Sequence, residues 1–202
     1  MSRTILNIRG TNGSGKSSII LSMMDDPKKY LIEKSYKGKM YKIATVFPSF
    51  GWVALGAYEE GRKCGGLDTM PNNEITKKSF WYILKKYTKF NLVMEGIICS
   101  TIFSTYFDLF KSAKEKYPDD EIIILHLTTP LKVCLKRIQK RNGGKSIKED
   151  LVKDKVSAVN RIVDKFRDEF IVIDWDTKSS LKNPHKLIYQ VEELILDNTV
   201  PF

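Results

Sequence analysis

The chain has 202 residues, 42% of them hydrophobic, and its 34 Lys and Arg against 24 Asp and Glu leave a net charge of +10. This suits one substantial core, so a single domain over 1–202 is expected. The lack of any apolar run of about 18 residues argues against a membrane span, and the start Met1-Ser2-Arg3 leaves no room for a signal peptide. Three scattered cysteines (Cys64, Cys99, Cys134) and two histidines (His126, His185) argue against a disulfide framework or a metal cluster, so a soluble, cytoplasmic protein is expected.

In chain order, the first signal is a short β-prone run with Ile5, Leu6 and Ile8, followed by Gly10-Thr11-Asn12-Gly13-Ser14-Gly15-Lys16-Ser17. The octet satisfies G-x-x-x-x-G-K-[ST] at every defined position, and Ile19 to Met24 then supply an apolar helical face ending near Pro27. A strand, a glycine turn and a helix in that order are the context the motif requires. The glycines let successive amides curl around an anion, and the helix that follows directs its unpaired N–H groups to the same point. Gly10, Asn12, Gly13, Ser14, Gly15, Lys16, Ser17 and Ser18 are therefore expected to bind a nucleoside triphosphate. Lys16 supplies a mobile charge for the terminal phosphates, and the Ser17 hydroxyl a ligand for Mg²⁺.

Asp25 to Lys39 is polar and lysine-rich and reads as loop. Residues 41–47 and 52–58 read as strands close enough to pair as an antiparallel hairpin, followed by a glycine-rich loop to Asn73. Apolar residues at helical intervals predict helices over Glu74–Tyr87 and from Ile102 to before Pro118. Phe90–Gly96 reads as a buried strand ending in a carboxylate. Glu121–Leu127 has the continuous apolar character of a central parallel strand. Beyond it, Pro130 suits the first turn of a helix that ends at Asn142-Gly143-Gly144. Ser146 is a candidate cap for a long helix over Ile147–Asp168. Phe170–Asp174 reads as the last strand and Pro184–Leu196 as a closing helix. Strands alternating with helices imply a parallel α/β sheet.

Glu95 ends its strand and precedes Gly96; ligands of open parallel sheets sit beyond the carboxyl ends of strands. Beside Lys16 and Ser17 it can hold Mg²⁺ or accept a proton from an attacking hydroxyl. Arg137 and Arg141 share a helix face and suit stabilisation of a transferring phosphoryl group, with 137–150 as a candidate lid. In the glycine cluster Cys64-Gly65-Gly66-Leu67-Asp68-Thr69, Gly65, Gly66 and Asp68 are candidates for acceptor binding, and Asp68 is a second candidate base. Phe47, Phe50, Trp52, Tyr58, Trp81 and Tyr82 flank this region and can supply a ring for stacking. The charge is uneven as well. Residues 132–167 hold twelve Lys/Arg against four Asp/Glu, and 28–42 hold six Lys against Glu33 alone, which suits a polyanionic partner.

Taken together, Gly10–Ser17, the strand ending in Glu95-Gly96, and the arginine-bearing helix with its glycine-rich lid resemble the P-loop kinases of the nucleoside and nucleotide kinase type. That resemblance implies a three-layer α/β sandwich on a mainly parallel five-stranded sheet, with the 41–73 hairpin and glycine-rich segment inserted on the acceptor side. It also implies ATP and Mg²⁺ as cofactors and phosphoryl transfer to a nucleotide-type acceptor. The Asp-Arg pair of thymidylate kinases and the Glu-x-Arg of deoxynucleoside kinases are absent after Leu92–Met94. The hairpin with Gly65-Gly66-Leu67-Asp68-Thr69 is similar to bacteriophage kinases that phosphorylate 5-hydroxymethyluracil within DNA, which implies DNA as acceptor. A soluble nucleoside or nucleoside monophosphate kinase, and a nucleotide-switched binding protein or ATPase, stay open as alternatives.

Overall fold

The computed structural model describes residues 2–59, 65–178 and 186–199. One seven-stranded sheet runs through it, built from β1 (Thr4–Arg9), β2 (Tyr30–Tyr36), β3 (Lys39–Phe47), β4 (Trp52–Leu55), β5 (Asn91–Glu95), β6 (Glu121–Leu127) and β7 (Ile171–Trp175) in the order β2-β3-β4-β5-β1-β6-β7. The five strands from β4 to β7 in that order pair in parallel. β2 and β3 extend the sheet antiparallel at one edge. The sheet therefore has seven strands rather than the five expected.

Of the strands beyond the parallel set, β3 contains the 41–47 run that reads as a strand, whereas β2 falls in a stretch that reads as loop. Tyr30–Tyr36, taken as loop because of its lysines, is an edge strand. Charged side chains cost little there, because one side of such a strand faces solvent. β4, expected as the second arm of a hairpin, pairs with β3 on one side and β5 on the other, and so belongs to the parallel set.

Helices cover both faces. α1 (Lys16–Leu21) and α7 (Leu187–Thr199) lie on one; α2 (Asn73–Lys86), α3 (Ile97–Thr101), α4 (Ser104–Lys116) and α6 (Glu149–Phe166) lie on the other. Alternation along β1 divides the core: Ile5 packs with Phe80, Phe110 and Phe166, whereas Leu6 and Ile8 pack with Ile19, Ile20 and Val191. α5 (Leu131–Arg141) rests on Cys134 and Ile138 and follows Pro130 as expected.

Three local expectations need correction. α1 is only six residues long and gives way to turns at Ser22, well before Pro27. Ser146 does not cap α6, which starts at Glu149 after Lys148; Glu149 and Asp150 place negative charge in its first turn instead. The closing helix spans Leu187–Thr199, and Pro184 lies outside the described residues, as do Gly61, Cys64 and His185.

Arg3, just before β1, forms a buried ion pair with Asp120, just before β6, each side chain 7% exposed. Its Nη1 also donates to the Leu84 carbonyl at 2.7 Å. Asp120→Ala strands the guanidinium without its counter-charge and is expected to lower stability by about 3–5 kcal/mol. Urea unfolding measures this; a loss below about 1 kcal/mol would mean the pair behaves as a solvated one.

Candidate active site

The Gly10–Gly15 turn leads from β1 into α1 with Gly13 at φ 78° and Gly15 at φ 109°. A Cβ on Gly13 would lie 2.5 Å from the Cys134 carbonyl oxygen of α5, so packing and backbone both demand glycine there. Lys16 is 7% exposed and folds back over its own loop. Its Nζ donates to the carbonyls of Gly10 (2.9 Å) and Thr11 (3.0 Å). Burial pushes the Lys16 ammonium below its ordinary pKa, with the charge of Glu95 opposing that shift.

β5 pairs with β1 so that Glu95 lies opposite Ile8. This register brings the Glu95 carboxylate to Ser17, whose Oγ donates to Oε1 at 3.1 Å. Tyr58, beyond the end of β4, donates its hydroxyl to the same oxygen at 2.7 Å. Glu95 is 1% exposed. Burial raises its pKa, Lys16 and the two hydroxyl donors oppose the rise, and Asp68 adds to it. Burial, followed by Glu95, pushes the Tyr58 phenol well up, so it remains a donor. Reading Tyr58 as a flanking ring missed this role. The signal available was its place just past a strand end and before paired glycines.

Gly65 and Gly66 are buried against these groups. A Cβ on Gly66, at φ +62°, would lie 2.6 Å from both the Glu95 carbonyl oxygen and the Tyr58 hydroxyl; one on Gly65 would lie 2.6 Å from the Tyr58 ring. Protein atoms thus fill the space these glycines leave. Asp68 is exposed, and both its oxygens accept the Ile97 amide at the start of α3, at 3.0 and 3.1 Å. α3 itself, five residues long, is an element the apolar pattern did not reveal.

On the far side, Arg137 donates to the carbonyls of Gly13 and Ser14 (3.3 Å each) and to both the hydroxyl (3.0 Å) and carbonyl (2.9 Å) of Thr177. Partial burial lowers its pKa. The Ser14 carbonyl also accepts from Thr177 (2.6 Å) and Thr129 (3.0 Å), which follow β7 and β6. Neither threonine stood out in the sequence, although both lie beyond the carboxyl ends of strands, where ligand-side residues concentrate. Arg141, one turn past Arg137, is exposed.

These groups surround a cleft of about 590 Å³. Asn12, Gly13 and Gly15–Ser18 form its floor, Asp68, Glu95 and Ile97 one wall, and Arg137, Ile138, Arg141 and Asn142 the other. Gly10 and Ser14 are buried beneath that surface. Gly143 and Gly144, at φ 64° and 89°, follow Asn142 at the rim with open space where a Cβ would be. Of the flanking aromatics, Phe47, Trp52 and Tyr58 are buried, whereas Phe50, Trp81 and Tyr82 are half-buried.

A family model described as 5-hmdU DNA kinase matches residues 2–180. The chain belongs to the 5-hmdU DNA kinase family. The kinase resemblance drawn from Gly10–Ser17, Glu95-Gly96 and the arginine-bearing helix is borne out at that level. Among curated members, the 5-hmdU DNA kinase of Bacillus phage SP10 is 44% identical over 183 residues, covering 88% of this chain and 27% of that protein. That of Pseudomonas phage M6 is 33% identical over 163 residues, covering 79% and 83%. The 5-hmdU DNA kinase 1 of Salmonella phage ViI is 31% identical over 159 residues, covering 76% and 66%. The match thus spans about a quarter of the SP10 protein and about two thirds of the ViI one. A deoxyadenosine kinase from M. mycoides with bound dCTP superposes with a TM-score of 0.44 at 17% identity, over 93% of this chain and 98% of that one. Among the described residues of this family member, no helix is long and apolar enough to cross a membrane.

Proposed function

We propose that the protein transfers the γ-phosphoryl group of ATP to the hydroxymethyl oxygen of 5-hydroxymethyluracil in DNA, with the chain acting as one P-loop kinase domain. The observation that carries this reading is the buried Glu95 carboxylate beside Ser17 at the mouth of the phosphate loop. Family membership adds the acceptor class. Because the named relatives are phage proteins, the same reading puts the enzyme in the cytoplasm of an infected bacterium.

In this reading the amides of Asn12–Ser18 cradle the triphosphate, and Lys16 turns from the Gly10 and Thr11 carbonyls to the terminal phosphates. Ser17 and Glu95 are hard oxygen ligands converging within 3.1 Å, a fit for Mg²⁺, which would neutralise charge on the phosphates when bound. The acceptor O–H gives its proton to Glu95 as its oxygen bonds to the γ-phosphorus, and the bond to the ADP oxygen breaks. Glu95 suits the base role better than Asp68, whose oxygens are engaged by the α3 amide. Arg141 reaches in from the rim as charge develops, and Asn142–Lys145 closes as a lid over the donor.

Arg137 and the two threonines fix the crest of the phosphate loop. Thr177→Val keeps the shape but removes one of three donors to the Ser14 carbonyl, at a cost of about 0.5–1.5 kcal/mol. The expected result is a higher KM for ATP with kcat little changed; an unaltered KM would mean the loop keeps its shape without that bond.

The overall reading is tested with γ-labelled ATP and four acceptors: DNA containing 5-hydroxymethyluracil, thymine DNA, free nucleosides and nucleoside monophosphates. Label in the modified DNA alone is expected. Label confined to nucleosides or monophosphates would replace the acceptor, and label only as free phosphate would replace the kinase reading with a switch or ATPase.

A further inference from the structure

A second basic element rises beside the cleft, built from β2 and β3. Its two-residue turn, Lys37-Gly38, lies between the paired Tyr36 and Lys39, with positive φ at both positions (52° and 78°). Lys37 is the one non-glycine with positive φ among the described residues. Such turns favour Asn or Gly at that position, so a lysine there works against local stability.

Strand direction places this tip. β4 runs parallel to β5, whose carboxyl end carries Glu95, and β3 runs antiparallel to β4. The amino end of β3 therefore points to the catalytic edge of the sheet. The β3–β4 register ends with Ala44 opposite Leu55, so Lys39–Ile43 continue past it. Five residues at about 3.3 Å each carry the hairpin roughly 17 Å beyond that edge.

The tip is basic and aromatic. Lys34 lies opposite Tyr41, and Tyr36 opposite Lys39. Lys34 sits 4.2 Å over the Tyr82 ring and Lys39 5.5 Å over Tyr41. Lys37 and Lys39 are exposed, and among the described residues none of these three ammonium groups reaches a carboxylate at ion-pair distance. At the foot of the hairpin, a groove of about 280 Å³ runs from Tyr41 and Lys42 to Ala57 and Thr69, the residue after Asp68. The hairpin thus flanks the Asp68 wall of the cleft. The other basic strip, Lys132, Lys136 and Lys140 on α5, lies across the sheet on the arginine side.

We infer that the β2–β3 hairpin is an arm that grips the backbone of the DNA carrying the acceptor base, with Lys34, Lys37 and Lys39 on its phosphates. This rests on the reading of DNA as acceptor. Ammonium groups on β2, in the turn and at the start of β3, beside the acceptor wall, match a run of phosphates. The α5 strip is placed for the donor.

The test measures binding of duplex DNA containing 5-hydroxymethyluracil against salt concentration. Lys34→Gln/Lys37→Gln/Lys39→Gln is expected to bind at least ten-fold more weakly, and its log–log salt slope to fall by between about two and three. ATP binding should be unchanged. Lys37→Asn guards against a folding artefact, because Asn suits the turn: the thermal midpoint should hold or rise while the salt slope falls by about one. If both variants keep the parent's affinity and slope, or if Lys132→Gln/Lys136→Gln/Lys140→Gln alone removes binding, the inference is overturned. A parent that binds no DNA would overturn the acceptor reading and this inference with it; a parent that binds as tightly as its hairpin variants overturns this inference alone.

Discussion

Replacing Lys16 with alanine is expected to reduce phosphoryl transfer by about 10³-fold or more. The ammonium is the cation seated within the phosphate loop, pinned to the Gly10 and Thr11 carbonyls within 3.0 Å. Burial disfavours its charge, and Glu95 favours it. Such a group gains far more from an arriving triphosphate than a solvated lysine would, because little water screens it. Alanine removes both the counter-charge and the donor. Single-turnover transfer at saturating ATP is the appropriate measurement, since it separates chemistry from product release. A rate within ten-fold of the parent would move the charge-stabilising role to Arg141.

Glu95→Gln is expected to cost about 10²–10⁴ in turnover. The two side chains are nearly the same size, and the amide oxygen can still accept from Ser17 and Tyr58, so the fold and the surrounding glycines should tolerate the change. What is lost is a group able to take a proton or hold a divalent cation. ATP affinity in the absence of metal should therefore change little while kcat collapses. A parallel Asp68→Asn variant is the control. Its oxygens accept the Ile97 amide, and an amide side chain keeps one acceptor for that contact. If Asp68→Asn fell as far as Glu95→Gln, or Glu95→Gln kept the parent rate, the assignment of the base would be wrong.

The parts of this molecule that were legible in its sequence are those encoded by local spacing. Gly10–Ser17 is a local motif, and Glu121–Leu127 is an apolar run long enough to read as a buried strand. Glu95 could be placed because a carboxylate after three buried residues marks a strand's carboxyl end. Where the reading failed, the cause was distant in the chain. β2 is a strand because β3 pairs with it, although its own composition reads as loop. The amides at the start of α3 find their acceptor in Asp68, 29 residues away. Thr129 and Thr177 converge on Ser14 from 115 and 163 residues away, and a lone threonine after a strand carries no spacing to read. Tyr58 sat in a run of aromatics most of which serve the core, so its hydroxyl bond to Glu95 depended on a strand pairing still to be formed.

The central position of β1 also bears on how the protein matures. Its two neighbours in the sheet are β5 and β6, and its loop is tied down as far along as Thr177. At about 5–20 residues per second of synthesis, roughly 6–23 s pass between the emergence of Ser14 from the ribosome and completion of its neighbour strand β6. Throughout that interval the Gly10–Gly15 turn lacks at least the wall formed by Arg137, Ile138, Arg141 and Asn142. The antiparallel ribbon at the other edge joins consecutive segments and can close within microseconds. A nascent chain therefore has both strands of its basic arm available to pair well before it has both walls of the cleft.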